Sequence, residues 1–414
     1  MQGRSRLRWG TRGLTAVVAI AGLVAACGTG GGAGKAKPTR PSSHDHASAT
    51  VSPGIGRPTG PASPNKTDLY SFTKAGMLSA TAKQAKALVY VPNLSDGTVS
   101  VIDPATYRVV DTIKVGDSPQ HVVPGWDLKT LWVNNNAGNS LTPIDPTTGK
   151  RQGPDVTVDD PYNLYFTPDG RSAIVMAEAK TDVDFRDPHS MALQTRLHLG
   201  PLCAGVNHAD FAPDGSYMIA TCEFSGRLVK IDLKTNKVLG WLDLGSESAP
   251  QDIKLDPFGE IWYVADMNAD GVYEITGDPF VKVGFLKTGP ETHGLYPSRD
   301  GTKLYVSNRG GQRIPGAAFN EHTGNQGSVS VIDFTSRKVI ATWPIPGGGT
   351  PDMGNVSADG TRLWLSGRRS NEVYVFDTTT GNVVARIRVG NQPHGLCVWP
   401  LPGRYSLGHT GILR

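Results

Sequence analysis

Cysteine is scarce in this 414-residue chain, and the four present form no Cys-x-x-Cys pair. The ten histidines include no His-x-x-x-His, so no local metal-binding spacing is written into the sequence. Without Cys-x-x-Cys-His there is no covalent haem, and only a non-covalent cofactor remains open. Gly-x-Ser-x-Gly, phosphate-loop and dinucleotide fingerprints are also missing; Gly347-Gly-Gly349 opens no helix and reads as a loop. Net charge is small: 41 Lys and Arg against 37 Asp and Glu give +4. Arg4, Arg6, Arg8 and Arg12 supply that excess, so no basic stripe for nucleic acid is left.

Long apolar runs are few. The N-terminal one, Leu14 to Ala26, is too short and too rich in small residues for a comfortable transmembrane helix, and behind four arginines it reads as a secretory signal. It ends in Leu23-Val-Ala-Ala-Cys27, which resembles the lipobox of bacterial lipoproteins. The resemblance implies cleavage before Cys27 and lipidation of its thiol, which would hold the protein on the outer or periplasm-facing surface of a membrane. Residues 1–26 are thus the signal peptide and 27–66 a Gly/Pro/Ser-rich tether without apolar periodicity. His44-Asp-His46 in that tether is either a loose metal catch or solvated polar residues. A lead-in covers 67–87, the main domain 88–404 and a tail 405–414.

Seven copies of one pattern fill the main domain. Their first apolar runs begin near Leu88, Leu131, Ala173, Met218, Ile261, Leu304 and Leu363, close to the ~40–45 residues of a four-stranded propeller blade. Each copy carries a β-branched strand, as in Lys303-Leu-Tyr-Val-Ser-Asn308. A second strand ends at an aspartate (Asp103, Asp145, Asp232, Asp333 or Asp377), which suits a turn. A third strand follows, and a fourth begins after a proline and stops at a turn such as Pro213-Asp-Gly215. The expected fold is an all-β, seven-bladed β-propeller. Because the first copy lacks an innermost strand and the last has one to spare, residues 393–399 should pair with residues 88–115 and close the ring.

Leu304-Tyr-Val-Ser-Asn with Gly327-Ser-Val-Ser-Val-Ile-Asp333, and Leu88-Val-Tyr-Val-Pro-Asn with Gly97-Thr-Val-Ser-Val-Ile-Asp103, resemble the YVTN β-propeller repeat of bacterial surface proteins. The resemblance covers roughly residues 88–400. It implies the fold, and leaves surface-layer proteins, lactonases, amine-dehydrogenase subunits and haem-bearing nitrite reductase domains all open. Blades three and five depart most, at Val183-Asp-Phe-Arg-Asp187 and Val272-Tyr-Glu-Ile275.

In this frame the start of each innermost strand faces one mouth of the channel. Gln120, Tyr162, Asn207, Gln251, His293, Asp352 and His394 occupy one position, and His121, Asn163, His208, Asp252, Gly294, Met353 and Gly395 the next. The neighbouring loops carry Glu178, Glu223, Asp266, Arg309 and Arg368, and blade six adds an insertion, Gly310 to Gln326, with Arg313, Glu321 and His322. His121, His208, Asp252, His293, Asp352, His394, Arg309 and His322 are therefore the expected ligand-binding residues. Imidazoles beside carboxylates also suit a divalent metal, with His208, Glu223, Asp252, His293 and His394 as candidate ligands. The alternative is that these groups only cap strand ends and hold channel water. The leading expectation is a membrane-anchored binder of a small molecule or protein partner at this mouth. Its rivals are a metal-dependent lyase or lactonase, with His293 and His394 as acid and base, and a propeller holding a non-covalent haem. Virginiamycin B lyases are similar in placing histidines beside a metal at a channel mouth. Cys203 and Cys222 flank a strand pair and are placed for a disulfide, the alternative being two buried thiols, while Cys397 sits among core residues.

Overall fold

The computed structural model describes residues 68–314 and 322–414; Cys27, His44, His46 and Glu321 lie outside them. Seven antiparallel sheets surround a central channel, one per sequence repeat. Blade five is representative: Pro250–Leu255 lies innermost, followed outward by Ile261–Asp266, Gly271–Gly277 and Phe280–Lys287.

Burial follows from position in the blade. Innermost strands such as Pro161–Phe166 and Pro351–Val356 are buried throughout, because blades cover both faces and the channel covers the edge. Outermost strands alternate, as in Lys338–Pro344, where every second side chain meets water. The repeated aspartates start the outer turns: the Asp232 carboxylate accepts from Lys234 N–H at 3.0 Å and Thr235 N–H at 2.6 Å. The asparagine closing several of the strands next to the innermost has a matching task, Asn93, Asn135 and Asn308 each donating to two hydroxyls of the following strand. The two irregular blades owe their departures to buried charge. Asp184 is clasped by Arg186 at 2.6 Å and Arg196 at 2.6 Å, and Glu274 takes a two-pronged hydrogen bond from Arg337 of blade six.

Closure of the ring is as the repeat frame requires. Leu88 pairs with Trp399, Val89 with Val398 and Tyr90 with Cys397, which makes Cys397–Trp399 the innermost strand of blade one. Cys203 and Cys222 are joined in a disulfide, worth on the order of 3 kcal/mol for so short a loop. Cys397 is a buried free thiol whose pKa burial pushes up. No helix among the described residues is long and apolar enough to cross a membrane.

The residues set apart as a tail are built into the fold instead. Ser406–Gly408 and Ile412–Leu413 pair with each other, and Gly408 pairs with Tyr165 of blade three. Gly408 has φ +102°, and a Cβ there would collide with Leu164 O and the Tyr165 backbone, so glycine alone permits this approach. His409 N–H donates to Leu164 O at 2.8 Å, Asn355 of blade seven donates to Thr410 O at 3.0 Å, and Arg414 pairs with Asp210 of blade four at 3.1 Å. These contacts lie deep on the innermost strands, so the segment spans the channel at the end opposite the mouth. The lead-in reaches the same end, with Leu69 N–H on Pro257 O at 2.7 Å and the Tyr70 hydroxyl on Leu255 O at 2.6 Å.

Candidate functional site

Four of the seven first-position residues reach the mouth, while Asn207, Asp352 and His394 are not among its lining. Gln120, Tyr162, Gln251 and His293 line a cleft of about 480 Å³ together with Glu178, Glu223, Glu291, Arg309, Arg368 and Arg369 from the loops and His322 from the insertion. The insertion keeps its neighbour in place through a two-residue strand pair, Gln312–Arg313 with His322–Thr323. Arg313 reaches Glu247 at 2.6 Å instead of the cleft. Asp266 also stays out, for its carboxylate accepts from the Ala249, Asn268 and Ala269 N–H groups of its own loops.

Asp352 is the hub beneath the cleft. Its Oδ2 stands 2.7 Å from His394 Nδ1, its Oδ1 stands 3.1 Å from His293 Nδ1, and Arg309 donates to Oδ1 from Nε at 2.8 Å and Nη2 at 2.6 Å. Burial alone would raise this carboxyl, but the Arg309 guanidinium overrides it and holds the pKa well below the usual range. The histidines go the other way. Burial, joined by Arg309, carries His293 far below its ordinary value, and burial brings His394 to about 4. Both rings are therefore neutral at pH 7, and His394 donates Nδ1–H to Asp352 while its Nε2 stands 3.3 Å from the Tyr162 hydroxyl.

The walls of the cleft carry opposite charge. Glu178 and Glu223 come from blades three and four; the Glu178 carboxyl is pushed well up by burial and then by Glu223 and Asp160. Asn207 donates to Glu223 at 2.8 Å. On blades six and seven, Arg369 clamps Glu291 with contacts of 2.8 and 2.5 Å, and Arg309 is held by Asp352. Arg368 differs, making no hydrogen bond among the described residues and coming no closer than 4.0 Å to Asp352.

The second ring is not part of the cleft. His121 and His208 are fully buried below it, and Asp252 is bound to Lys254 Nζ at 2.6 Å and to the Ile253 and Leu295 N–H groups. Asp252 is thus committed to holding blades five and six together. The five expected metal ligands do not converge, since Glu223 and Asp252 have these partners and His293 and His394 share Asp352. His121, His208 and His409 converge instead, one ring nitrogen from each lying within 4.8 Å of the others. His409 escaped the sequence reading because it follows the last repeat, where no periodicity assigns it a place. Glu291 and Arg369 escaped it too, although Arg369 sits one residue from Arg368 and Glu291 two from His293.

A family model, the YNCE-like beta-propeller, matches residues 71–403. This chain belongs to the YNCE-like β-propeller family. Its relatives include YncE of Salmonella typhi, 23% identical over 65% of this chain and 74% of the relative, and YwhL of Bacillus subtilis, 24% identical over 76% and 65%. Among solved structures, the periplasmic gluconolactonase PpgL of Pseudomonas aeruginosa superposes with a TM-score of 0.60 at 17% identity, covering 76% of this chain and 99% of that one. The dihydro-heme d1 dehydrogenase NirN superposes with a TM-score of 0.54 at 12% identity, covering 79% and 77%. At such identities these likenesses establish the shared propeller of this YNCE-like protein and nothing about its chemistry.

Proposed function

We propose that this YNCE-like propeller is an exported, lipid-anchored protein that binds a small hydroxylated carboxylate at its channel mouth. Arg368 carries the reading. It is a guanidinium at the cleft with unused donors, suited to a two-pronged grip on a carboxylate. Glu178, Glu223, Gln120 and Gln251 offer acceptors and amides to hydroxyl groups from the other blades. Lipid on Cys27 rests on the lipobox-like Leu23-Val-Ala-Ala-Cys27.

Gluconate and glucarate, titrated by calorimetry and thermal shift, test the reading. Saturable binding that raises the melting temperature and is lost in Arg368→Ala is expected; no binding of either acid at millimolar concentration overturns it.

A second reading has the His394–Asp352 pair in its favour. A neutral imidazole fixed by a carboxylate, with its other nitrogen toward the cleft side, is the arrangement of a general base. Acid release from δ-gluconolactone, followed by pH-stat and abolished in His394→Ala, would establish lactone opening. Gluconate binding without acid release leaves the protein a binder.

A further inference from the structure

We propose that His121, His208 and His409 form a buried transition-metal site in the channel, beneath the mouth cleft and sealed by the C-terminal segment. The proposal does not depend on the ligand reading above. Three features converge on it. One ring nitrogen of each histidine lies within 4.8 Å of the others. All three rings are buried, at 0%, 0% and 1% exposure. The Nε2 atoms of His121 and His208 have no hydrogen-bond partner, and His409 Nε2 lies 3.7 Å from Asp252 Oδ2, too far for one. Buried imidazole nitrogens left without partners are costly, and these three belong to rings that converge.

The tautomer of His121 favours the same assignment. His121 Nδ1 lies 2.9 Å from Tyr162 O, and a carbonyl only accepts, so that nitrogen carries the proton. The neutral ring then presents a bare lone pair at Nε2. Donation of the far N–H to a backbone carbonyl is how metal-bound histidines are oriented. His208 and His409 share one side chain, the Asn163 amide nitrogen standing 3.1 Å and 3.0 Å from their Nδ1 atoms. An amide N–H donates, so both Nε2 atoms carry the proton here, and an ion at Nε2 moves those protons to Nδ1 and turns the Asn163 amide over so that its oxygen accepts them. Ring spacing is tight, with centroids 5.0 Å apart for His208 and His409 and 5.3 Å for His121 and His409. Nitrogens bound to a tetrahedral ion at 2.0–2.1 Å are about 3.3 Å apart, so nitrogens within 4.8 Å of one another draw together by up to about 1.5 Å on binding.

The donor set selects the ion. Three imidazoles without a thiolate, and with the neighbouring carboxylate Asp252 already bound to Lys254, suit zinc or copper and not magnesium or calcium. Gly395 belongs to the same construction, because a Cβ there would strike the His121 ring. His409 gives the site its second consequence: the ion would fasten the C-terminal segment to blades two and four.

The test uses the full chain in detergent, with His44→Ala and His46→Ala to silence the tether. After stripping with a chelator, the protein is given Zn²⁺, Cu²⁺ or Co²⁺ alone, desalted, and analysed for bound metal and melting temperature. One retained equivalent of zinc or copper, a raised melting temperature and the intense visible bands of four-coordinate Co²⁺ are expected. His409→Gln and His208→Gln should retain none, whereas His322→Ala should retain the full equivalent. Should the glutamine variants fail to fold, X-ray absorption on the parent counts the imidazoles directly, three being expected. No retained ion in the parent, an undiminished equivalent in both glutamine variants, or an absorption spectrum without histidine ligands overturns the assignment.

Discussion

His394, just ahead of the innermost strand of blade one, and Asp352, on that of blade seven, meet through a 2.7 Å contact between the first and last blades. Arg309 completes the group from blade six, so one carboxylate ties three blades. Asp352→Asn would leave the Arg309 guanidinium buried against a neutral amide. Breaking a buried pair in this way costs about 3–5 kcal/mol, a loss that urea unfolding should register; a change below about 1 kcal/mol would mean that Glu291, 3.6 Å from Arg309, suffices as its partner.

Two truncations separate closure from sealing. A chain ending at Gly390 lacks the strand that pairs with Leu88, Val89 and Tyr90, and should aggregate or lose its cooperative melt. A chain ending at Pro402 keeps that strand and lacks the channel segment; it should melt cooperatively at a lower temperature. Equal behaviour of the two chains would contradict this division of labour.

Glu178 should make stability depend on pH. Burial and Glu223 raise its folded-state pKa, so the group favours the fold while protonated and that contribution is lost as pH climbs through the raised value. Glu178→Gln should therefore match the parent near pH 4 and gain on it steadily from about pH 4.5 upward. Thermal melts of both proteins across that range give the difference directly, and a gap that is constant with pH would show Glu178 to be ordinary.

Cys27→Ala probes the membrane anchor. The substitution should move the protein from the membrane fraction to the medium, or leave it as uncleaved precursor. Unchanged partitioning and unchanged mass would rule out lipid at that position.

The repeat made the architecture legible. Seven β-branched runs, the turn-starting aspartates and the missing inner strand of the first copy were enough to bring residues 393–399 to the first blade, where Cys397–Trp399 pairs with Leu88, Val89 and Tyr90. The mouth positions were also legible, because a propeller presents equivalent residues of each inner strand at one level, and Tyr162, Gln251 and His293 do line the cleft. Depth was not legible. One residue along the strand moves His121 and His208 from the cleft into the sealed channel, a step of about 3.3 Å that no pattern of residue types announces. Partners were hidden for a similar reason, since Asp252 looks like a ligand until Lys254 is seen bound to it. The segment 405–414 carries no repeat, so periodicity had nothing to say about His409 or the Arg414–Asp210 pair.

With its far end spanned by residues 406–414, the central hole of this protein is a well and not a pipe. Among the described residues, whatever settles in the cleft has one doorway, the rim to which Arg368, Glu178 and His322 contribute. Arrival and departure then share a single barrier. A substitution that narrows the rim should slow both alike and leave affinity nearly unchanged, and a larger molecule resting on the rim would imprison the smaller one below it.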